Sequence, residues 1–264
     1  MRCAAAALAA ALMAAPVAAL VAAAPTRAER LIASLSSHRV QITSIFNGVE
    51  LVLFGTIEAD ANSAPRKAAY DIVATVTGPR QTEVTRRKAR VFGIWVNVES
   101  RTFVEVPSYL AVLATRPFDA IADQETLRRQ QIGLAHVLLP QQIGEDIADV
   151  VVDDQFRQAF LRLKEERRLY SESTDAITFL TPALFRGSID IPAEAQIGTY
   201  DVDVKLFADG AMIARTNSTF EIAKVGFERF IAGSAEDHGL LYGIATAAMA
   251  LMTGWFASVV FRRD

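Results

Sequence analysis

The chain has 264 residues, 52% of them hydrophobic, and a formal net charge of −3 at pH 7. The apolar excess lies in an alanine-rich N-terminus and an uncharged stretch near the C-terminus, and the chain between them has the polarity of a globular domain. Residues 29–239 carry a net charge of −6, because the two ends together hold four arginines and one aspartate. A domain with a net negative charge is a poor candidate for nucleic-acid binding.

The N-terminus has the organisation of a secretory signal. Arg2 supplies a positive charge, and the stretch Ala4–Ala24 supplies the apolar region. Cleavage after Ala28 puts small residues at the −3 and −1 positions, so residues 1–28 are predicted to be a cleaved signal peptide. The alternative is an uncleaved N-terminal anchor, which the weak membrane preference of alanine and the break at Pro16 disfavour.

The first part of the following chain has the pattern of β-strands. Apolar and polar residues alternate in four runs rich in β-branched and aromatic residues, which lie at 49–57, 69–77, 91–98 and 102–106. Gly78-Pro79 and Pro107 end two of these runs. A period of two with Gly and Pro punctuation predicts an antiparallel sheet.

Basic residues cluster around a predicted turn within this region: Arg80, Arg86, Arg87, Lys88 and Arg90. Such a cluster can meet anionic lipid, an anionic ligand or an acidic partner, and a solvated hairpin is the ordinary alternative. Trp95 and Asn97 follow and are further candidates for ligand or partner contact. The alternative for Trp95 is a place in the core, where strand tryptophans usually lie.

A helical insertion is predicted at about residues 119–170. One candidate helix covers Asp119–Ile132. The other begins at a cap, Asp153 or Asp154, and ends near Arg168, with apolar residues at the spacing of one helix face (Phe156, Phe160 and Leu163). The acidic residues before it do not have the spacing of a calcium loop, so a solvated face with a helix cap is preferred to a cation site.

The chain then returns to strands. Leu184–Ile191 and Gly198–Leu206 are predicted strands, and Ala211–Ala223 follows a tight turn at Asp209-Gly210, which predicts a hairpin. Alternation along the second strand puts its apolar residues on one face and three charged residues on the other, namely Asp201, Asp203 and Lys205.

These elements predict a mainly β fold for residues 29–239. The predicted architecture is an immunoglobulin-like antiparallel β-sandwich with the helical insertion at about 119–170, and the alternative is two small β-units.

A transmembrane helix is predicted at residues 240–261. These 22 residues carry no charge, and at about 1.5 Å per residue they form a helix of roughly 33 Å, enough to cross a hydrocarbon core of about 30 Å. Arg262 and Arg263 follow the span, whereas Asp237 and His238 precede it. The positive-inside rule then puts residues 262–264 in the cytoplasm and the β-rich domain in the periplasm of a bacterial inner membrane.

Small residues recur along the predicted helix at spacings of four and three. They form a candidate packing face, made of Gly243, Ala247, Ala250, Gly254 and Ala257. Such a face lets helices approach closely, with a second copy or with a polytopic partner. The alternative is the ordinary abundance of alanine and glycine in membrane helices.

No catalytic residue, cofactor or metal site is predicted. The three histidines, His38, His136 and His238, lie far apart in sequence, so structural roles are preferred to a metal site. The sequence contains no nucleophile elbow, phosphate-binding glycine loop or dinucleotide fingerprint. The only cysteine is Cys3, inside the predicted signal peptide.

The order of several short motifs resembles a known family. These motifs are Leu35-Ser-Ser-His38, Leu51-Val-Leu-Phe-Gly55, Gly93-Ile-Trp-Val-Asn97, Val106-Pro-Ser-Tyr109, Phe156-Arg-Gln-Ala-Phe160, Leu184-Phe-Arg186, Gly198-Thr-Tyr200 and Lys224-Val-Gly-Phe-Glu228, followed by a membrane helix ending in Phe261-Arg-Arg263. Together they resemble a transmembrane protein family of alphaproteobacteria whose function is uncharacterised. The resemblance implies a location and a topology. It also implies an accessory role beside a permease similar to sulfite or sulfonate exporters.

The leading hypothesis is therefore a non-enzymatic periplasmic module, tethered to the inner membrane, that binds a partner protein such as a permease. The second is a periplasmic protein that binds small anions through Arg186 or the basic cluster. The third is a hydrolase, for which a cleft with converging carboxylates or histidines would be required.

Overall fold

The computed structural model describes residues 29–43, 46–58, 69–143, 146–149, 154–224, 235 and 238–260. The predicted signal peptide (1–28) and cytoplasmic tail (262–264) lie outside the described residues. In chain order the strands are β1 (Arg30–Leu35), β2 (Arg39–Ile42), β3 (Val49–Glu58), β4 (Tyr70–Thr77), β5 (Arg80–Val91), β6 (Ile94–Pro107), β7 (Leu110–Ala114), β8 (Pro140–Ile143), β9 (Asp146–Asp149), β10 (Tyr170–Ser173), β11 (Ile177–Phe179), β12 (Leu184–Ile191), β13 (Gly198–Ala208) and β14 (Ala211–Lys224). The helices are α1 (Phe118–Ile121), α2 (Gln124–Arg129), α3 (Gln155–Glu166) and α4 (Gly239–Val260), with a 3₁₀ turn at Leu134–His136.

The strands form three sheets, so the prediction of a mainly β fold is confirmed. Sheet A has the order β1-β3-β12-β11 and is antiparallel. Sheet B has the order β10-β7-β4-β13-β14-β2, with parallel pairs at its two edges, β10–β7 and β14–β2. Sheet C has the order β5-β6-β8-β9. The finer immunoglobulin-like assignment stays a prediction.

Sheets A and B share one apolar core. The alternation predicted along 49–57 is present in β3, where Leu51, Leu53 and Ile57 are buried and Glu50 and Phe54 are exposed. These side chains belong to the same core cluster as the inward residues of β13, which are Tyr200, Val202, Val204 and Leu206. The burial of both inner faces removes a large apolar area from water, and this burial is the main stabilising contribution to the fold.

Buried tyrosines connect the elements around this core. The Tyr109 hydroxyl donates to the carbonyl oxygen of Asp190 at 2.8 Å, which links sheet B to β12 of sheet A. The Tyr200 ring stacks on Phe220 with centroids 5.0 Å apart. Burial raises the pKa of Tyr200 to about 12, so its hydroxyl remains a donor, and it donates to the Gln196 carbonyl.

Gly55 of β3 leaves space for the phenyl ring of Phe185 on the neighbouring strand β12. A Cβ at this position would lie 2.5 Å from Cζ of Phe185 and 2.4 Å from the carbonyl oxygen of Ile32. Phe185 is fully buried and is the partner of Gly55 in the register of β12 and β3. The glycine is therefore required by the close approach of a ring and a neighbouring strand.

Two predicted elements have different boundaries in the structure. The run 91–98 is not a separate strand, because the chain reverses at Phe92-Gly93 and residues 94–98 belong to β6. Both turn residues have positive φ, 48° and 84°, which fits a two-residue hairpin turn. The basic cluster that was expected around a turn therefore lies along β5.

The predicted helical insertion is only partly helical. The candidate helix Asp119–Ile132 is divided into α1 and α2, because Asp123 leaves the helical conformation and its side chain accepts a hydrogen bond from the Thr126 amide as a cap. Strands β8 and β9 follow within the same segment. The second helix begins as predicted, because Asp154 caps α3 and Phe156 and Phe160 are buried. The prediction that Leu163 faces the core is wrong: Leu163 is 45% exposed, and the neighbouring Lys164 is the buried residue of that turn.

The predicted hairpin is present, and so is a long apolar helix at the place of the predicted membrane span. β13 and β14 pair across a turn at Asp209 and Gly210, whose φ values are 52° and 79°. Helix α4 contains a span, Gly239–Ser258, long and apolar enough to cross a membrane, and none of that span is buried against the rest of the described chain. The limits of the whole helix, Gly239–Val260, are within one residue of the predicted 240–261.

The first prediction concerns Gly55. Gly55→Ala should lower the free energy of unfolding by about 1–3 kcal/mol, because the added methyl group overpacks the space between Phe185 and β1. For a domain of this size the melting temperature of the full chain in mild detergent should fall by roughly 3–10 °C. Gly210→Asn is the control, since this turn position is open and asparagine tolerates positive φ. Equal melting temperatures for the two variants would contradict the packing argument.

Candidate functional site

Five of the six predicted contact residues lie together on the outer half of the β5–β6 hairpin. Arg86, Arg87 and Lys88 are exposed on β5, and Trp95 and Asn97 are exposed on β6. Over residues 86–100 the two strands pair with each other and, among the described strands, with no third one. This outer half therefore projects from the domain as a two-stranded ribbon.

The end of the ribbon carries large apolar side chains. Phe92 is 102% exposed, and Ile94 and Trp95 are each 68% exposed. The alternative of a core position for Trp95 is therefore wrong. Phe92 also adopts a positive φ, which is unusual for a bulky residue and costs free energy unless it is compensated. The domain gains no burial from this side chain.

The ribbon has two chemically different faces. Cross-strand partners share a face, so Lys88 with Asn97 and Arg90 with Trp95 form one face. The alternate pairs, Ala89 with Val96 and Val91 with Ile94, form the apolar face. We name residues 86–100 the ribbon tip. It contains four cations and one carboxylate, Glu99, and therefore has a net charge of +3.

The inner half of the hairpin is fixed to the domain by helix α3. The Phe103 ring of β6 stacks on the Phe160 ring with centroids 4.4 Å apart. The Arg101 guanidinium lies 5.2 Å from the centroid of the Phe156 ring. β8 pairs with β6 only at Thr102 and Phe103. The hairpin therefore emerges from a packed root.

Lys164 of α3 is the centre of this root. It is only 5% exposed, and its Nζ donates to the Glu83 carboxylate of β5 and to the Ser108 carbonyl. The same ammonium lies 5.5 Å from the Phe160 ring centroid and 5.6 Å from that of Tyr170. Burial and the nearby Glu83 carboxylate raise the pKa of Tyr170, so its hydroxyl stays protonated and donates to the Pro107 carbonyl.

The other predicted contacts lie elsewhere. Arg186 is exposed on β12 opposite Phe54, on the outer face of sheet A, and is not part of the ribbon tip. The predicted packing face is carried by α4, where Gly243, Ala247, Ala250, Gly254 and Ala257 are all exposed. The structure therefore divides the predicted contacts among three separate surfaces.

A polar cleft of about 610 Å³ lies on the outer face of sheet B. Its floor is formed by β4, β13 and β14, and its walls by the end of α2 and the start of β5. The cations that line it are Arg80, Arg129, Lys205 and Arg215, and the carboxylates are Asp201 and Asp203. The cleft therefore has an excess of two positive charges.

Hydrogen-bond donors remain available on the floor of this cleft. Asp203 accepts from the Arg215 Nε at 2.6 Å and pairs with the Lys205 ammonium. Lys205 is 4% exposed, and its ammonium carries three donor hydrogens, for which Asp203 is the partner described. The Thr75 hydroxyl beside them is buried and has no hydrogen-bond partner in the described structure. A small oxyanion would satisfy donors of this kind.

A second cleft, of about 660 Å³, lies between α3 and the loops around β3 and β12. Its lining includes four carboxylates, those of Glu50, Glu165, Asp190 and Glu194, and two arginines, Arg167 and Arg168. Its lining contains no histidine. Among the described residues there is no group of three or more histidine, cysteine or acidic side chains suited to a metal ion.

Lys205, Arg215 and Arg129 line the cleft, but the sequence patterns did not identify them as candidates. The signal for Lys205 was present, because the alternation along β13 already separated a charged face from an apolar face. The convergence of α2, β4 and β14 on that face depends on tertiary structure. Lys164 gave no signal at all, since an isolated lysine within an amphipathic helix is normally solvent-exposed.

A model of the family described as "Putative transmembrane protein" matches residues 30–263 of the chain. No curated protein and no solved structure matches it. The match covers the three sheets, the hairpin and helix α4.

The second prediction concerns the hairpin root. Lys164→Met should destabilise the domain by about 1–3 kcal/mol, because it removes the cationic donor of the Glu83 carboxylate, which keeps the Gln81 side-chain amide, and the donor of the Ser108 carbonyl. Chemical denaturation would measure the loss, and hydrogen exchange should increase in residues 80–107. Arg162→Met is the control on the same helix, because its ion pair with Glu166 is exposed and contributes little. The same stability for both variants would refute the role of Lys164.

Proposed function

Because the chain belongs to the family of transmembrane proteins whose model matches residues 30–263, we propose that it is a non-enzymatic accessory module of a bacterial inner membrane. Helix α4 tethers the β-rich domain, and the partner is a polytopic permease similar to sulfite or sulfonate exporters. The observation that carries this proposal is that α4 is apolar, that none of its span Gly239–Ser258 is buried against the described part of the chain, and that one of its faces is made of small residues.

The charge distribution around the helix supports an orientation. Two arginines follow the span, whereas the fourteen residues before Gly239 contain one arginine, no lysine and three acidic residues. By the positive-inside rule, the C-terminus lies in the cytoplasm and the β-rich domain in the periplasm. The predicted signal peptide would deliver the same topology.

The small face of α4 is suited to close helix contact. Its residues alternate at spacings of four and three, so they lie on one side of the helix. The hydroxyls of the neighbouring Thr246 and Thr253 donate to the carbonyls of Tyr242 and Met249, one turn earlier. Because these polar groups are satisfied within the helix, the face can pack closely against another helix without leaving a donor unpaired.

The third prediction tests this face by cross-linking. In a Cys3→Ala background the chain has no other cysteine, so single cysteines can be placed at Ala250 on the small face and at Ala248 off it. We expect Ala250→Cys, and not Ala248→Cys, to form a cross-link in native membranes to a polytopic membrane protein identified by mass spectrometry. Only close packing on one side would produce this difference.

Two results would contradict the proposal. Cross-linking of both variants to the same extent would mean that α4 has no preferred packing face. A product containing only two copies of the chain would replace the permease with self-association.

The cleft on sheet B favours a second candidate function, the binding of a small oxyanion such as phosphate, sulfite or a sulfonate. Lys205 and Arg215 share one carboxylate, the Thr75 hydroxyl is unpartnered, and the lining has an excess of positive charge. Charge-assisted hydrogen bonds from lysine and arginine are the usual means of holding such anions. Arg186 and the basic residues of the ribbon tip are not in this cleft.

The fourth prediction tests this candidate by thermal shift on the full chain in detergent. An anion at ten times its dissociation constant should raise the melting temperature by about 3–5 °C. Arg215→Gln should remove the shift, whereas Arg186→Gln should retain it because that residue lies on sheet A. The absence of a shift at millimolar sulfite, sulfonate and phosphate would exclude the cleft as an anion site, and so would equal shifts in both variants.

A further inference from the structure

We propose that the ribbon tip docks on the anionic lipid headgroups of the same membrane that α4 crosses. The domain would then be held at two points, the anchor helix and the hairpin. This proposal goes beyond the one above, because it assigns a partner to a surface that the helix contact does not use.

The composition of the ribbon tip is that of a membrane-interface element. Phe92, Ile94 and Trp95 are the most exposed apolar side chains of the hairpin, and aromatic side chains with adjacent apolar residues partition into the headgroup region. Four cations accompany them, and exposed lysine and arginine are attracted to anionic lipid. Glu99, the one carboxylate, is neutralised by Arg87 at 2.7 Å.

Phe92 provides an independent indication. A two-residue hairpin turn with positive φ at both positions favours asparagine, aspartate or glycine. Phenylalanine at φ 48° is therefore a costly choice, and its complete exposure shows that the domain does not compensate it. Insertion of the ring into an apolar environment outside the domain would provide the missing compensation.

The charge of the ribbon tip is opposite to that of the domain. Residues 86–100 carry +3, so the remainder of residues 29–239 carries −9. An anionic membrane surface repels the body of such a domain and attracts the tip, which orients the domain with the hairpin towards the lipid.

The hairpin begins at the end of sheet B from which the chain continues to the anchor. The end of β4 pairs with the start of β13, with Thr77 opposite Asp201. At the same end Gly198 pairs with Ile222, close to the last residue of β14, Lys224. A Cβ on Gly198 would lie 3.1 Å from Pro79, the residue before β5. The hairpin root and the exit towards α4 are therefore neighbours.

The lengths are compatible with simultaneous contact. Fourteen residues separate Lys224 from Gly239, and they can span at most about 50 Å. The ribbon extends about 20 Å beyond Arg86, at about 3.3 Å per residue. Since the tether keeps the tip near the bilayer, even a weak intrinsic affinity gives high occupancy.

A stable protein interface needs about 800 Å² from each partner. A broad surface supplies such an area more readily than this narrow ribbon, which favours lipid over a protein as the partner of the tip.

The fifth prediction uses the full chain reconstituted into vesicles. A Trp255→Phe background leaves Trp95 as the only tryptophan. We compare vesicles of phosphatidylcholine with vesicles containing about 30% phosphatidylglycerol, each with and without lipids brominated near the headgroup. In the anionic vesicles the Trp95 emission should shift to shorter wavelength and be quenched by the brominated lipid, and 0.5 M salt should weaken the effect.

Two variants separate membrane contact from folding. Replacement of Arg86, Arg87, Lys88 and Arg90 by glutamine should reduce the quenching about twofold or more. The matched control replaces Arg30, Arg128, Arg162 and Arg167 by glutamine, which removes the same charge from exposed positions on β1, α2, α3 and the end of α3, and should leave the quenching unchanged. Phe92→Asn should keep or raise the melting temperature, because asparagine suits the turn, and should still reduce the quenching.

The absence of quenching in anionic vesicles would overturn the proposal. So would equal losses in the hairpin variant and in its control, since the effect would then depend on total charge. A blue shift that requires a co-purified membrane protein would replace the lipid with a protein partner. Each of these outcomes is independent of the α4 cross-linking result, so failure of the lipid contact and failure of the permease contact can be distinguished.

Discussion

The position of the hairpin depends on one buried ammonium group. Lys164 connects β5 to α3 and to the carbonyl that follows β6, and it lies between two aromatic rings. A lysine is buried only when its charge is compensated, and here a carboxylate, a carbonyl and two π-faces share that task. Without this centre the inner half of the ribbon would keep the ring stack of Phe103 and Phe160 and the short pairing with β8, but it would lose the ion pair that joins β5 to α3. The direction of the ribbon would then be poorly defined.

Because the root of the hairpin is packed against α3, the exposed side chains of the ribbon tip have a defined arrangement. A flexible loop with the same residues would be an ordinary solvated segment, whereas a ribbon with a packed base presents its side chains in a defined arrangement. The β pairing keeps Arg90 beside Trp95 and separates both from the apolar pairs on the reverse face. The β-rich domain thus acts as a scaffold for a small and chemically mixed surface, in the way that functional residues commonly occupy loops and hairpins on a rigid core.

Local sequence patterns predict much of the secondary structure, but they predict the candidate functional surfaces less well. The alternation in β3, the Asp209-Gly210 turn, the Asp154 cap and the uncharged C-terminal run each predicted an element that the structure contains. The sequence did not predict the turn at Phe92-Gly93, because Phe-Gly is not a typical turn pair and the alternation of 91–98 continues through it. The exposure of Trp95 could not be predicted, since the same pattern suits a buried strand. The division at Asp123 and the roles of Lys164 and Lys205 depend on contacts between segments distant in sequence.

The strand that leads to the membrane is held on both sides. β14 pairs with β13 along almost its whole length, and its last four residues, Glu221–Lys224, pair with β2 in parallel. A force applied through α4 would pull β14 along its own axis, so the hydrogen bonds of both ladders would be loaded together in shear and not opened one at a time. A domain attached in this way resists mechanical extraction at its C-terminal end.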